Sequence, residues 1–93
     1  MRRAARVDDN QKQIVESLRR FGASVYPTHM VGRGFPDIVV GYRGLNYLFE
    51  IKDGEKVPSK QRLTKDELAF FEMWKGSVYK VTTVDECISI MTA

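Results

Sequence analysis

Two short runs rich in β-branched and aromatic residues, Ile38-Val39-Val40-Gly41-Tyr42 and Leu45-Asn46-Tyr47-Leu48-Phe49, are separated only by Arg43-Gly44. This spacing predicts a β-hairpin closed by a tight turn. A two-residue loop, or a symmetric four-residue one, sets the same register. Tyr42 then faces Leu45, Val40 faces Tyr47, Ile38 faces Phe49, and Asp37 falls opposite Glu50. Ala23 to Thr28 reads as a first strand and Val78-Tyr79-Lys80-Val81 as a fourth.

Helical spacing occupies the remaining apolar positions. Ile14, Leu18 and Phe21, with Val15 beside them, form one stripe, which Asp8 or Asp9 can cap and Gly22 can end. Thr64 and Glu67 form a capping box with Leu63 and Leu68 as its hydrophobic staple. The helix they open carries Leu68, Phe70, Phe71 and Trp74 and is expected to stop at Gly76. Thr83 and Glu86 form a second box ahead of Val84, Cys87, Ile88 and Met91. Between the second and third groups of elements, residues 53–62 are polar and read as a mobile loop. Residues 29–34 form a glycine-containing loop.

The predicted order is α-β-β-β-α-β-α, an α/β fold. A strand-helix-strand unit favours a parallel right-handed crossover, so the four-stranded sheet is expected to be mixed and flanked by helices.

Composition narrows this picture. The chain has 93 residues, 43% apolar and 29% charged, which predicts a single domain over residues 1–93. So small a core gains from burial at a subunit interface, which favours oligomerisation. A net charge of +3 permits nucleic-acid binding without requiring it. Residues 1–8 read as a flexible basic arm in which Arg2, Arg3 and Arg6 could touch phosphates. No apolar run follows, so no membrane span and a cytoplasmic setting are expected. The single cysteine, Cys87, falls in an apolar stripe and reads as a small buried hydrophobe. The single histidine, His29, gives little support to a histidine-based metal site; it reads as a polar loop residue.

The hairpin register also carries the chemistry. Side chains alternate along a strand, so Glu50 and Lys52 share one surface while Ile51 turns into the core. Asp37 and Glu50, held face to face, repel unless something positive lies between them. Hard oxygen donors of this kind suit Mg²⁺ or Mn²⁺, completed by water and phosphate oxygens. Glu-x-Lys is by itself a common pattern, and a charged strand end is often a solvated edge. The joint occurrence of Pro-Asp, Glu-x-Lys and a turn that brings them together favours chemistry.

Gly34-Phe35-Pro36-Asp37 followed by Glu50-Ile51-Lys52 resembles the Pro-Asp and Asp/Glu-x-Lys signature of the PD-(D/E)xK restriction-endonuclease-like superfamily. From about Asn10 onward the chain resembles a stand-alone virus-type replication-repair nuclease (VRR-NUC) domain of the phage and bacterial type. The resemblance implies a divalent-metal-dependent DNA endonuclease with a restriction-endonuclease-like core and no nucleotide cofactor. Asp37, Glu50 and the backbone carbonyl of Ile51 would hold one or two metal ions, and Lys52 would orient the attacking water. It further implies a homodimeric resolvase of four-way (Holliday) junctions in bacterial or phage-infected cytoplasm. Flap or nick cleavage, or a DNA-binding or assembly module without chemistry, remain alternatives.

The resemblance also exposes departures. The family usually takes a third acidic ligand from its first helix. Here either Gln11, close to the apolar stripe, supplies an amide oxygen to the metal or its water, or Glu16, nearly opposite the stripe, is used by another geometry. Where the family often has glutamine this chain has Glu67, for which capping is a sufficient reason. Arg33, Lys56, Lys60, Arg62 and Lys65 are the expected DNA-phosphate contacts. Phe70, Phe71 and Trp74 read as core or dimer contacts.

Overall fold

Arg43 and Gly44 have φ values of 50° and 81°, the two positive angles that a type I′ turn demands. The computed structural model, which describes residues 9–93, pairs Tyr42 with Leu45, Val40 with Tyr47 and Ile38 with Phe49 across this turn. The expected register is the observed one. In chain order the elements are α1 (Asp9–Phe21), β1 (Ser24–Pro27), a 3₁₀ turn (His29–Val31), β2 (Ile38–Tyr42), β3 (Leu45–Ile51), α2 (Pro58–Gln61), α3 (Lys65–Met73), β4 (Val78–Val81) and α4 (Val84–Met91). Strand order is β1-β2-β3-β4. The first three strands are antiparallel, and β4 joins β3 in parallel, which makes an α/β fold with a mixed four-stranded sheet. The basic arm with Arg2, Arg3 and Arg6, and the cap assigned to Asp8, lie outside the described residues.

One face of the sheet carries the core. Ile14, Val15 and Leu18 of α1 and Cys87 and Met91 of α4 cluster with Val25, Ile38, Val40, Tyr47, Phe49, Ile51 and Val81 from the four strands. These strand residues share one side of the pleat, as period-two alternation requires. Burial pushes the Cys87 thiol up to about 12, so it behaves as a small hydrophobe. Gly22 ends α1 at φ 112°, where its N–H and that of Ala23 reach back to the carbonyls of Arg19 and Leu18. Phe21 does not complete the buried stripe. It is 41% exposed and rests its ring on Tyr42, 5.5 Å away.

Three local expectations are corrected. Residues 53–62, expected to be a mobile loop, contain α2 and are cross-tied. The Gln61 amide donates to the carbonyls of Lys56 (2.6 Å) and Gly54 (3.2 Å), Asp53 Oδ1 accepts from the Glu55 N–H (2.9 Å), and Lys80 Nζ donates to the Gln61 carbonyl (3.2 Å). Pro58 opens the helical turn at a position where its missing N–H costs nothing. Second, α3 ends at Met73 with Trp74 as an extended C-cap, ahead of Gly76. A Cβ on Gly76 would lie 2.8 Å from the Trp74 indole nitrogen, so this glycine lets the chain pass the ring. Third, α3 buries Phe70 but leaves Leu68 and Trp74 exposed. Its aromatic contacts are with Phe35, whose ring meets Phe70 edge-on at 5.3 Å and Trp74 at 6.4 Å. Among the described residues, no helix is long and apolar enough to cross a membrane.

Candidate active site

Asp37 begins the hairpin on the side of the pleat opposite Ile38, and Glu50 and Lys52 alternate against Phe49 and Ile51. These three polar residues therefore project from the face away from the main core. Continuing the β2–β3 register sets Asp37 opposite Glu50 and Pro36 opposite Ile51. Pro36 has no N–H to give a ladder, and its carbonyl accepts from Thr28 Oγ1 at 2.8 Å. The Ile51 N–H is satisfied instead by Asp37 Oδ2, at 2.8 Å. Pro-Asp thus ends one ladder bond early and puts a carboxylate in the vacated place. A strand residue's N–H and C=O address the same neighbour, so the Ile51 carbonyl faces the Asp37 side as well.

Gly34 seats this corner. Its φ is 81°, and an added Cβ would collide with the Asp66 carbonyl and lie 2.8 Å from the Glu67 nitrogen. The backbone ahead of Asp37 therefore presses directly on the first turn of α3. That turn opens with the expected capping box, in which Thr64 Oγ1 accepts from the Glu67 N–H (3.2 Å) and Glu67 Oε1 accepts from the Thr64 N–H (2.8 Å). The same Glu67 Oε1 also accepts from Lys52 Nζ at 2.8 Å.

Glu50 is 3% exposed. Its Oε2 lies 3.8 Å from Lys52 Nζ, while its Oε1 is buried with no hydrogen-bond partner among the described residues. Burial first, then the negative charge and close carboxyl of Asp37, then Glu67, push its carboxyl up to about 10. Burial works against charge on Lys52, but its bond to Glu67 and the surrounding carboxylates raise it above its usual value. Burial likewise opposes the Glu67 anion, yet the bonds from Lys52 and the Thr64 N–H hold its carboxyl below the usual range. The Glu50 carboxyl is thus held well above its usual range beside the Lys52–Glu67 ion pair.

This donor set suits a hard divalent cation. Glu50 lies against Asp37, an oxygen of Glu50 is buried without a hydrogen-bond partner, and strand alternation turns the Ile51 carbonyl to the same side. Among the described residues, no group of three or more His, Cys, Asp or Glu side chains is placed to hold a metal ion. Two carboxylates are within what Mg²⁺ ordinarily takes from a protein, the remaining positions falling to water and phosphate.

No family model, curated protein or solved structure matches this chain. The site's chemistry therefore rests on its own geometry.

The other predicted residues divide into two groups. Gln11 is buried as its helical phase required, but its amide nitrogen contacts His29 Nδ1 at 3.3 Å, which ties α1 to the 3₁₀ turn. Glu16 is exposed on the outer side of α1. Arg33 sits in the loop before Asp37 with a φ of 58°. Lys56 precedes α2, Lys60 lies in it, Arg62 is its C-cap, and Lys65 is the first residue of α3. All five cations are exposed, and the ion pairs among the described residues are the two made by Lys52.

Two residues at the site were not singled out for it. The sequence around Glu67 signals capping alone; its lysine partner lies 15 residues away, beyond the reach of a local motif. Asn10 Nδ2 donates to the carbonyls of Lys52 (3.1 Å) and Thr82 (3.3 Å), fastening α1 where the chain leaves β3 and β4. Its partners are main-chain atoms 42 and 72 residues away, for which the sequence carries no signal.

Proposed function

We propose that this chain is a divalent-metal-dependent DNA endonuclease with a restriction-endonuclease-like core, of the VRR-NUC type. The observation that carries this reading is the buried, partnerless oxygen of Glu50 facing the Asp37 carboxylate with the Lys52 ammonium alongside. A pure binding surface for DNA has no use for two facing carboxylates, which repel phosphate. Asp37, Glu50 and the Ile51 carbonyl would hold the Mg²⁺ or Mn²⁺. When bound, such an ion supplies a water of lowered pKa and charge neutralisation at the scissile phosphate and its leaving oxygen.

Lys52 is the cation nearest the two carboxylates. It donates a hydrogen bond that orients the attacking water and balances charge growing on the phosphate, work suited to a compact ammonium on a flexible stem. Arg33 and Lys65 flank the corner where the Asp37 loop meets α3, and Lys56, Lys60 and Arg62 extend the positive surface along the α2 segment. These exposed cations contact backbone phosphates and position a strand without reading its sequence. A branched substrate, foremost a four-way junction, and a homodimer in a cytoplasmic setting complete the reading. A two-fold dimer would offer two active sites to two symmetric strands.

One observation favours a second reading, a DNA-binding or assembly module without chemistry. The Gln11 amide nitrogen contacts His29, and among the described residues no third acidic side chain is grouped with Asp37 and Glu50 to hold a metal ion. End-labelled four-way junction, flap and linear duplex DNA, each with Mg²⁺, Mn²⁺ or EDTA, separate the readings. Symmetric metal-dependent nicks in the junction are expected. Asp37→Ala and Glu50→Ala should each abolish them and leave DNA binding largely intact. Unchanged cutting by either variant would sink the site, and binding without cutting of any substrate would establish the second reading.

A further inference from the structure

Glu67 does more than a capping glutamate needs to do. At the third position of a capping box, glutamine serves as well, because the requirement is an oxygen that accepts from the N-cap N–H. Here Oε1 accepts from the Thr64 N–H and from Lys52 Nζ at the same 2.8 Å. The carboxylate is not free to follow the lysine. Its backbone N–H is bound to Thr64 Oγ1, and its turn is pressed against Gly34. Glu67 is a fixed anion, and Lys52, on four rotatable bonds, comes to it.

The consequence lies at Glu50. Lys52 Nζ stands 2.8 Å from Glu67 and 3.8 Å from Glu50. A charge-assisted hydrogen bond forms at the first distance and not at the second. Without the Glu67 charge, the nearest acceptor for a largely buried ammonium would be Glu50, where it would compete with any other cation. We propose that Glu67 is a positioning residue that draws the Lys52 ammonium off Glu50 and so keeps the Asp37–Glu50 pair open to a divalent ion. This rests on the metal reading of that pair, and it assigns the third carboxylate of the site to α3, with a role toward lysine.

Three variants separate this role from capping. Glu67→Gln keeps the box and removes the charge; Thr64→Ala weakens the box and keeps the charge; Lys52→Met removes the competitor. Mn²⁺ binding by calorimetry is the first readout, and the exchange-protected ammonium signal of Lys52 in ¹⁵N-lysine-labelled protein is the second. Glu67→Gln should bind Mn²⁺ about 10-fold more weakly and lose or shift the ammonium signal, with melting close to wild type. In the Lys52→Met background, Glu67→Gln should have no further effect. Thr64→Ala should melt earlier and bind Mn²⁺ as wild type does. Equal Mn²⁺ affinity in Glu67→Gln and wild type, or an equal loss with and without Lys52, would overturn the inference while the metal reading stood. Absence of Mn²⁺ binding by the wild type would remove the metal reading itself, and the inference with it.

Discussion

The two faces of this one sheet are built on opposite rules. Toward α1 and α4, Ile38, Val40, Phe49, Ile51 and Val81 are almost wholly buried among apolar neighbours. On the other face, one residue along each strand, Asp37, Glu50 and Lys52 meet the start of α3, and Glu50 is nearly as deeply buried as Phe49. Burial stabilises the first face and costs free energy on the second. Equal depth with opposite cost indicates that the second face is kept for something other than stability.

Truncation of the apolar face should give the largest effect. Phe49 is 0% exposed and stacks on Tyr47 at 6.1 Å. Phe49→Ala should lower the unfolding free energy by about 3 to 5 kcal/mol, read from urea denaturation. In a chain of 93 residues that is a large part of the total. A loss below about 2 kcal/mol would mean that the face relaxes easily and that the contrast is overstated.

The polar face should respond with the opposite sign. Glu50→Leu removes a buried oxygen without a partner and leaves Lys52 its bond to Glu67. Stability without metal should rise by about 1 to 4 kcal/mol while cleavage is lost. The pH dependence has the same origin. The Glu50 carboxyl is pushed from an ordinary 4.5 up to about 10, mainly by burial and then by Asp37. Its folded pKa is raised, so the advantage of carrying the proton is complete below the unfolded value. It drains as pH rises through the window between those two values. The metal-free wild type should therefore lose stability from mildly acidic to alkaline pH, and Glu50→Gln should flatten that decline. A wild-type profile as flat as that of Glu50→Gln would show that the carboxyl is solvated.

Much of this contrast was legible in the sequence because it follows from short-range rules. A two-residue turn and period-two alternation were enough to put Asp37 opposite Glu50 and Ile51 on the other face, and the pattern S/T-x-x-E announced both capping boxes. What escaped depends on long-range paths. Glu67 reaches Lys52 only because Gly34 lets the Asp37 loop rest on α3, and Asn10 acts on carbonyls far along the chain. Helical phase correctly buried Gln11 but could not foresee that a 3₁₀ turn would bring His29 to it. The α2 segment reads as loose because it is polar, although a single amide, that of Gln61, ties it at two carbonyls.

The smallest effect tests what assigns each residue to its face. A slip of one residue in the hairpin would exchange the two faces completely, and the turn that prevents it contains an arginine in the left-handed region. For a non-glycine residue that conformation costs about 1 to 2 kcal/mol, and less for asparagine. Part of the cost is offset because the Arg43 guanidinium lies over the Tyr42 ring, 5.2 Å from its centroid, a contact worth about 0.5 to 1 kcal/mol at an exposed site. Arg43→Asn relaxes the turn and loses the contact, so a net gain of about 0.5 kcal/mol is expected. With Tyr42→Leu already in place the contact is absent, and the same change should gain more. Cleavage should be unaltered in both backgrounds, because the register is the same. A gain in stability accompanied by altered cleavage would mean that the turn tunes the register at Asp37 and Glu50, and the two faces would then be coupled through a residue that belongs to neither.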